Sequence, residues 1–186
     1  MNRKIIINTA VILLLVVSII GISYAYFTAD LSGNETATTI TVTGGEMTIA
    51  YAGGSNIVVN NIIPSDEVVA TKTFTVTGTN TTTLNVPYTV MLVVDSNTFS
   101  SGALRYTLTS SNTSSNGEVV PSITGQTNFA SGANSYTLGS GHFENSENAV
   151  HAYVLKLYFP NSGTNQNTEQ GKELRAHISM VAAKAE

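Results

Sequence analysis

Apolar and polar residues alternate with a period of two through much of this chain. Thr71, Thr73, Thr75 and Thr77 fall on one side of an extended segment, with Phe74 and Val76 on the other and Lys72 at its entry. Val86, Tyr88, Val90, Leu92 and Val94 alternate with Pro87, Thr89, Met91 and Val93. Tyr106 and Leu108 oppose Arg105, Thr107 and Thr109. Tyr153, Leu155, Leu157 and Phe159 oppose Val154, Lys156 and Tyr158. Leu174, Ala176, Ile178, Met180 and Ala182 oppose Arg175, His177 and Ser179. Successive side chains of a strand point to opposite faces, so each segment reads as a half-buried β-strand.

Turn-forming clusters separate these runs: Gly44-Gly45, Gly53-Gly54-Ser55, Pro64-Ser65-Asp66, Ser100-Ser101-Gly102, Asn116-Gly117, Ser131-Gly132 and Gly139-Ser140-Gly141. Asn116-Gly117 has the composition of a hairpin turn. Many short strands at this spacing predict an all-β fold, a jelly-roll-like antiparallel β-sandwich. No window after Ala25 keeps a helical period with caps. Residues 112–148 are the least regular and predict long loops and short edge strands. Residues 161–170 (NSGTNQNTEQ) predict an exposed loop tip. Pro87 cannot donate to a ladder, so it belongs at a strand start, a bulge or an edge.

The N-terminus has a different pattern. Asn2-Arg3-Lys4 precedes a run from Ile5 to Ile22 that is apolar except for Asn8, Thr9 and Ser18. Eighteen helical residues span about 27 Å, just short of a bilayer's hydrocarbon core of roughly 30 Å. Ser23-Tyr24-Ala25 supplies small residues three back and one back from the bond to Tyr26, the pattern a signal peptidase reads. Residues 1–25 therefore read as a hydrophobic signal-peptide helix cleaved after Ala25; a retained N-terminal anchor is the alternative. A type IV prepilin is disfavoured, because there the apolar helix follows the cleavage site and carries an acid near its start.

Composition narrows the function classes. Only 11% of the 186 residues are charged, against roughly 25% in ordinary globular proteins. Thr, Ser, Asn and Gly take over the polar duty, in keeping with strands and turns. The absence of Cys excludes a disulfide scaffold and thiolate metal sites. For an exported protein it suggests a Gram-positive exterior. The net charge is −4, and without residues 1–25 six basic residues face twelve acidic ones. No basic patch survives, so nucleic acid is not an expected partner.

The expected organisation is a signal peptide at 1–25, a strand-patterned arm at 26–35 and a sandwich domain at 36–186. In the arm Phe27, Ala29 and Leu31 share one face, opposite Tyr26, Thr28, Asp30 and Ser32. Such a strand can pair within its own fold, or it can complete the sheet of a neighbour.

Several segments resemble the TasA/camelysin family of secreted Gram-positive proteins. They are Ala25-Tyr26-Phe27, the strand Gly45-Glu46-Met47-Thr48-Ile49, and the turn Asn60-Asn61-Ile62-Ile63-Pro64-Ser65-Asp66. That turn is followed by Lys72-Thr73-Phe74-Thr75-Val76, and the last strand, Leu174 to Ala182, is also similar. The similarity covers about 26–95 and the C-terminal residues; 96–148 has no match. Ser65 stands where the family's turn has Gly, which puts a positive φ there in question. The resemblance implies a jelly roll, export through a dedicated signal peptidase and a structural role in the biofilm matrix. It also implies fibres joined by an N-terminal donor strand, here Tyr26 to about Gly33. Partners would be other copies of the chain, further matrix proteins and the signal peptidase, with membrane contact only through the uncleaved signal helix.

The camelysin branch also implies a metallopeptidase, which the residues support poorly. His-Glu-x-x-His is absent, and a catalytic zinc needs three protein ligands. His142 and Glu144, two apart, are weak candidate metal ligands; His151 and His177 read as structural. Glu144 to Asn148 carries oxygen donors but not a calcium loop's spacing. There is no Gly-x-Ser-x-Gly elbow, no phosphate loop and no Leu-Pro-x-Thr-Gly sorting signal. Asn34, Asn80 and Asn112 head acceptor sequons that reflect Asn and Thr abundance. The expectation is a non-enzymatic structural protein without cofactors, located outside the cell. The alternative is an adhesin or carbohydrate-binding module, which the lack of Trp disfavours.

Overall fold

The computed structural model describes residues 29–31, 38–43 and 46–182. The proposed signal peptide with Ser23 and Ala25, and Tyr26 and Phe27 of the arm, lie outside the described residues. Within them run β1 (Ala29–Leu31), β2 (Thr38–Thr43), β3 (Glu46–Ala52), β4 (Ile57–Asn60), β5 (Ser65–Asn80) and β6 (Val86–Asn97). These are followed by β7 (Arg105–Asn112), β8 (Ile123–Asn128), β9 (Asn134–Phe143), β10 (Ser146–Phe159) and β11 (Glu173–Ala182). A single 3₁₀ turn, Asn167–Glu169, interrupts the loop before β11.

The protein is all-β, with two antiparallel sheets around one core. The first sheet has the order β1-β11-β6-β9, with β4 also on β11; the second has the order β2-β3-β5-β10-β7-β8. The five predicted alternations hold, except that Ser179 of β11, expected on the face away from the core, is also buried. Phe74 and Val76 are buried, as are Val86 through Val94 at every second position, Tyr106 and Leu108, Tyr153 through Phe159, and Leu174 through Ala182. Burial of these apolar faces supplies the main favourable term of the fold.

Pro87 is the second residue of β6, and the β6–β11 ladder ends at Tyr88. Its missing N–H thus falls at a strand start, as expected. The positive φ of the Asn60–Asp66 turn falls on Asn61 (50°) rather than on Ser65. Asn tolerates this region better than most residues, so the turn closes without a glycine at 65.

Three expectations need correcting. Residues 112–148 are more regular than their composition suggests: β8 is a short edge strand, but β9 is ten residues long and pairs with β6 from Val86 to Val94. Asn116-Gly117 is not a two-residue hairpin. It lies where the chain leaves β7 in the second sheet and bridges β9 in the first through Glu118 and His142. The 161–170 loop is exposed, yet it carries a buried residue, Glu169.

Asparagines at three strand ends hold the loops that follow. Asn80 donates to the Leu84 carbonyl (2.6 Å) and accepts from the Thr82 N–H (3.0 Å). Asn97 donates to Ala130 O (2.7 Å) and accepts from Phe99 N–H (3.0 Å). Asn112 donates to the Gly117 carbonyl (3.0 Å) and accepts from Asn116 N–H (3.1 Å). Amides with both ends satisfied, buried at Asn80 and Asn97 and half-buried at Asn112, stabilise these turns locally. Two of the three sequon asparagines, Asn80 and Asn112, are committed in this way; Asn34 lies outside the described residues.

Candidate functional site

β11 carries the first feature of functional interest. One of its edges is paired with β6 along most of its length. The opposite edge is shared: β4 covers Glu173–Ala176, and β1 covers Met180–Ala182. β1 is antiparallel, with Ala29 opposite Ala182, Asp30 opposite Val181 and Leu31 opposite Met180. Of the predicted donor face, Ala29 and Leu31 are therefore in a strand on the chain's own sheet, through a ladder of three residues.

The family-like turn is where the chain changes sheets. Asn60 closes β4 against β11, its amide 3.5 Å from Glu173 Oε2. Asp66, exposed, is the second residue of β5 in the second sheet. Between them Pro64 lines an open cleft with Ile62, Ile63, Phe159 and Gln166. Ile63 is 79% exposed, although it is among the most apolar residues of the turn.

A second feature is a buried polar chain between the sheets. Tyr88 on β6 and His151 and Tyr153 on β10 are all at most 1% exposed. His151 Nε2 lies 2.7 Å from the Asn116 carbonyl oxygen, which can only accept, so Nε2 carries the proton. Nδ1 is then an acceptor and receives a hydrogen bond from the Tyr88 hydroxyl at 2.5 Å. The Tyr88 oxygen accepts from Tyr153 O–H (2.5 Å), whose oxygen accepts from Val120 N–H (3.2 Å). Every member is satisfied with neutral imidazole. Gly117 makes the approach possible: its φ is +64°, and a Cβ there would lie 2.1 Å from the His142 carbonyl oxygen. His151 is the sixth residue of β10, and its imidazole faces the core.

Burial raises the Tyr88 and Tyr153 pKa values and lowers that of His151. The Asn116 carbonyl opposes the His151 shift, and His142 adds slightly to it. The folded state thus binds fewer protons at this site than the unfolded state, where His titrates near about 6.5. The stabilisation is complete above that pH and is lost as pH falls toward the lower folded-state value. Denaturant unfolding between pH 7.5 and 5.5 is expected to show stability falling with acidification, and His151→Gln to flatten that slope. An unchanged slope in the variant would refute the assignment.

The weak metal candidates come together with one more residue. His142 Nδ1 is 3.9 Å from Glu118 Oε2, and its Nε2 is 3.9 Å from Glu144 Oε1. The two carboxylates stand at opposite ring nitrogens, so no single cation bound to the imidazole meets both. Among the described residues no group of three His, Cys, Asp or Glu is arranged to hold a metal. His177, half-buried on the outer face of the first sheet, pairs with Asp95 at 3.1 Å.

Glu169 had no sequence signal as a buried group. Burial works against its charge, but Ser100 N–H (3.0 Å), Ser100 Oγ (2.7 Å) and Lys172 Nζ (3.2 Å) more than offset this and lower its pKa. The carboxylate ties the 161–172 loop to the end of β6, a structural role.

No protein-family model matches the chain, and no curated protein matches it. Among solved structures it is similar to a family two carbohydrate esterase from Cellvibrio japonicus, at 9% identity and a TM-score of 0.29. The likeness covers 81% of this chain and 34% of that one, so the chain spans about a third of that protein's length. A likeness this loose carries no argument about fold or activity.

Proposed function

We propose that the chain is a secreted structural protein of a Gram-positive extracellular matrix. In this reading its domain is a jelly-roll sandwich, and its N-terminal strand, freed by cleavage after Ala25, joins copies into fibres. The observation that carries the reading is the split edge of β11. β1 holds its place there by a three-residue ladder, and β4 leaves that stretch of edge for it alone. A few backbone bonds at about 1 kcal/mol net each make a separable contact. The same bonds form equally well on the Met180–Ala182 edge of another copy, so exchange costs little and, repeated head to tail, propagates. The reading assigns no catalysis and no cofactor.

The absence of native cysteine gives a direct test. Leu31 and Met180 are cross-strand partners, at a separation a disulfide can span. Leu31→Cys/Met180→Cys protein, oxidised under assembly conditions, should run as a covalent ladder on non-reducing gels. A cross-link confined to single chains sinks the proposal. Protein beginning at Tyr26 should also form fibres visible by electron microscopy, and protein beginning at Glu35 should remain dispersed.

A further inference from the structure

The described residues include five cations, and three are already engaged. Lys72 points inward to the Ser55 carbonyl (2.5 Å), Lys172 pairs with Glu169, and Arg175 pairs with Glu173. Arg105 and Lys156 have no carboxylate partner among the described residues, and both are on the outer face of the second sheet. Register makes them neighbours. Arg105 lies opposite Tyr158 on β10, and Lys156, two residues before Tyr158, lies opposite Thr107 on β7 and Thr71 on β5. Diagonal neighbours of this kind are about 7–8 Å apart. The Tyr158 hydroxyl is 3.5 Å from Thr107 Oγ1, so its ring lies across the sheet between the two cations. Arg105 Nε is buried and has no hydrogen-bond partner within the protein, so a ligand on this face would meet the rest of the guanidinium.

We propose that this face binds an acidic polysaccharide. The chain carries a net charge of −4, so an anionic polymer gains attraction only where cations stand without a carboxylate partner. A uronate carboxylate matches the guanidinium fork, while the apolar face of a sugar ring matches the tyrosine ring. The Thr71 and Thr107 hydroxyls serve sugar hydroxyls as donors and acceptors alike. A nucleic acid would use only the two charges, whereas an uncharged glycan would leave them unmatched. The proposal is independent of how the copies assemble.

Affinity electrophoresis of protein purified from cells expressing the full chain, through gels containing alginate, dextran or duplex DNA, tests it. Alginate should retard the protein, and dextran should not. Arg105→Gln/Lys156→Gln should weaken alginate binding at least tenfold and Tyr158→Ala about tenfold, with the unfolding midpoint unchanged. Lys156→Gln alone, at a half-exposed position, should weaken it severalfold even if Arg105 proves necessary for folding. Arg175→Gln, which removes an engaged cation, should leave binding intact. The proposal is overturned if alginate does not retard the protein at low ionic strength, or if the double variant binds as before. It is also overturned if DNA binds as well as alginate with Tyr158→Ala affecting neither.

Discussion

Replacing Tyr88 with Phe lowers the free energy of unfolding by about 2–4 kcal/mol, although it removes a single oxygen from a side chain that otherwise keeps its packing. That oxygen takes part in two of the four bonds of the buried chain. It donates to His151 Nδ1 and accepts from Tyr153. Without it an imidazole acceptor and a phenol donor are both stranded in a fully buried site, and each unsatisfied group costs about 1–3 kcal/mol. Tyr153→Phe strands a different group, the Val120 N–H. Because the two hydroxyls share a bond, the double variant should lose at least 0.5 kcal/mol less than the two single losses summed, by the usual range for contacting residues. Urea unfolding of the four proteins measures this. A Tyr88→Phe cost below about 0.5 kcal/mol, or strict additivity, would mean that the hydroxyls are satisfied in some other way.

This polar chain was partly legible in the sequence. Tyr88 and Tyr153 sit at the core-facing phase of two strong alternations, and His151 keeps the phase of Tyr153. Side chains with polar tips on a buried face need one another as partners. What the sequence lacks is the register that sets β6 against β10 across the core. The strands themselves were readable wherever one face is buried and the other wet, as in β5, β6, β10 and β11. β8 escaped because five of its six residues are exposed, so it has no apolar rhythm. β9 escaped because Gly139 and Gly141 interrupt its pattern and a register shift opposite Val90 breaks its period. The turn after Asn60 was visible as a motif, but its role as the crossing from one sheet to the other depends on which partners β4 and β5 take. Glu169 gave no sign, since a carboxylate in an Asn- and Gln-rich loop reads as solvated until Ser100 is seen beside it.

Phe143→Ala should cost about 3–5 kcal/mol, the range for truncating a buried aromatic. The Phe143 ring is fully buried, with its centroid 5.3 Å from Tyr88 and 4.3 Å from His151, so it forms one wall of the polar chain. Its other side is set by Gly78. A Cβ at that glycine would come within 2.3 Å of Phe143 Cδ2, closer than real side chains approach. Gly78→Ala by itself therefore overpacks the core and should cost about 1–3 kcal/mol. The two sites make opposite errors in the same space. In the Phe143→Ala background the new methyl enters the cavity instead of a ring, so adding Gly78→Ala should be neutral or restore part of the lost stability. Residues that share a cavity couple in this way, whereas independent sites add. Equilibrium unfolding of the two single variants and the double decides the matter. If Gly78→Ala destabilises both backgrounds equally, the glycine is required for its backbone at the β3–β5–β10 ladder and not for the ring it faces.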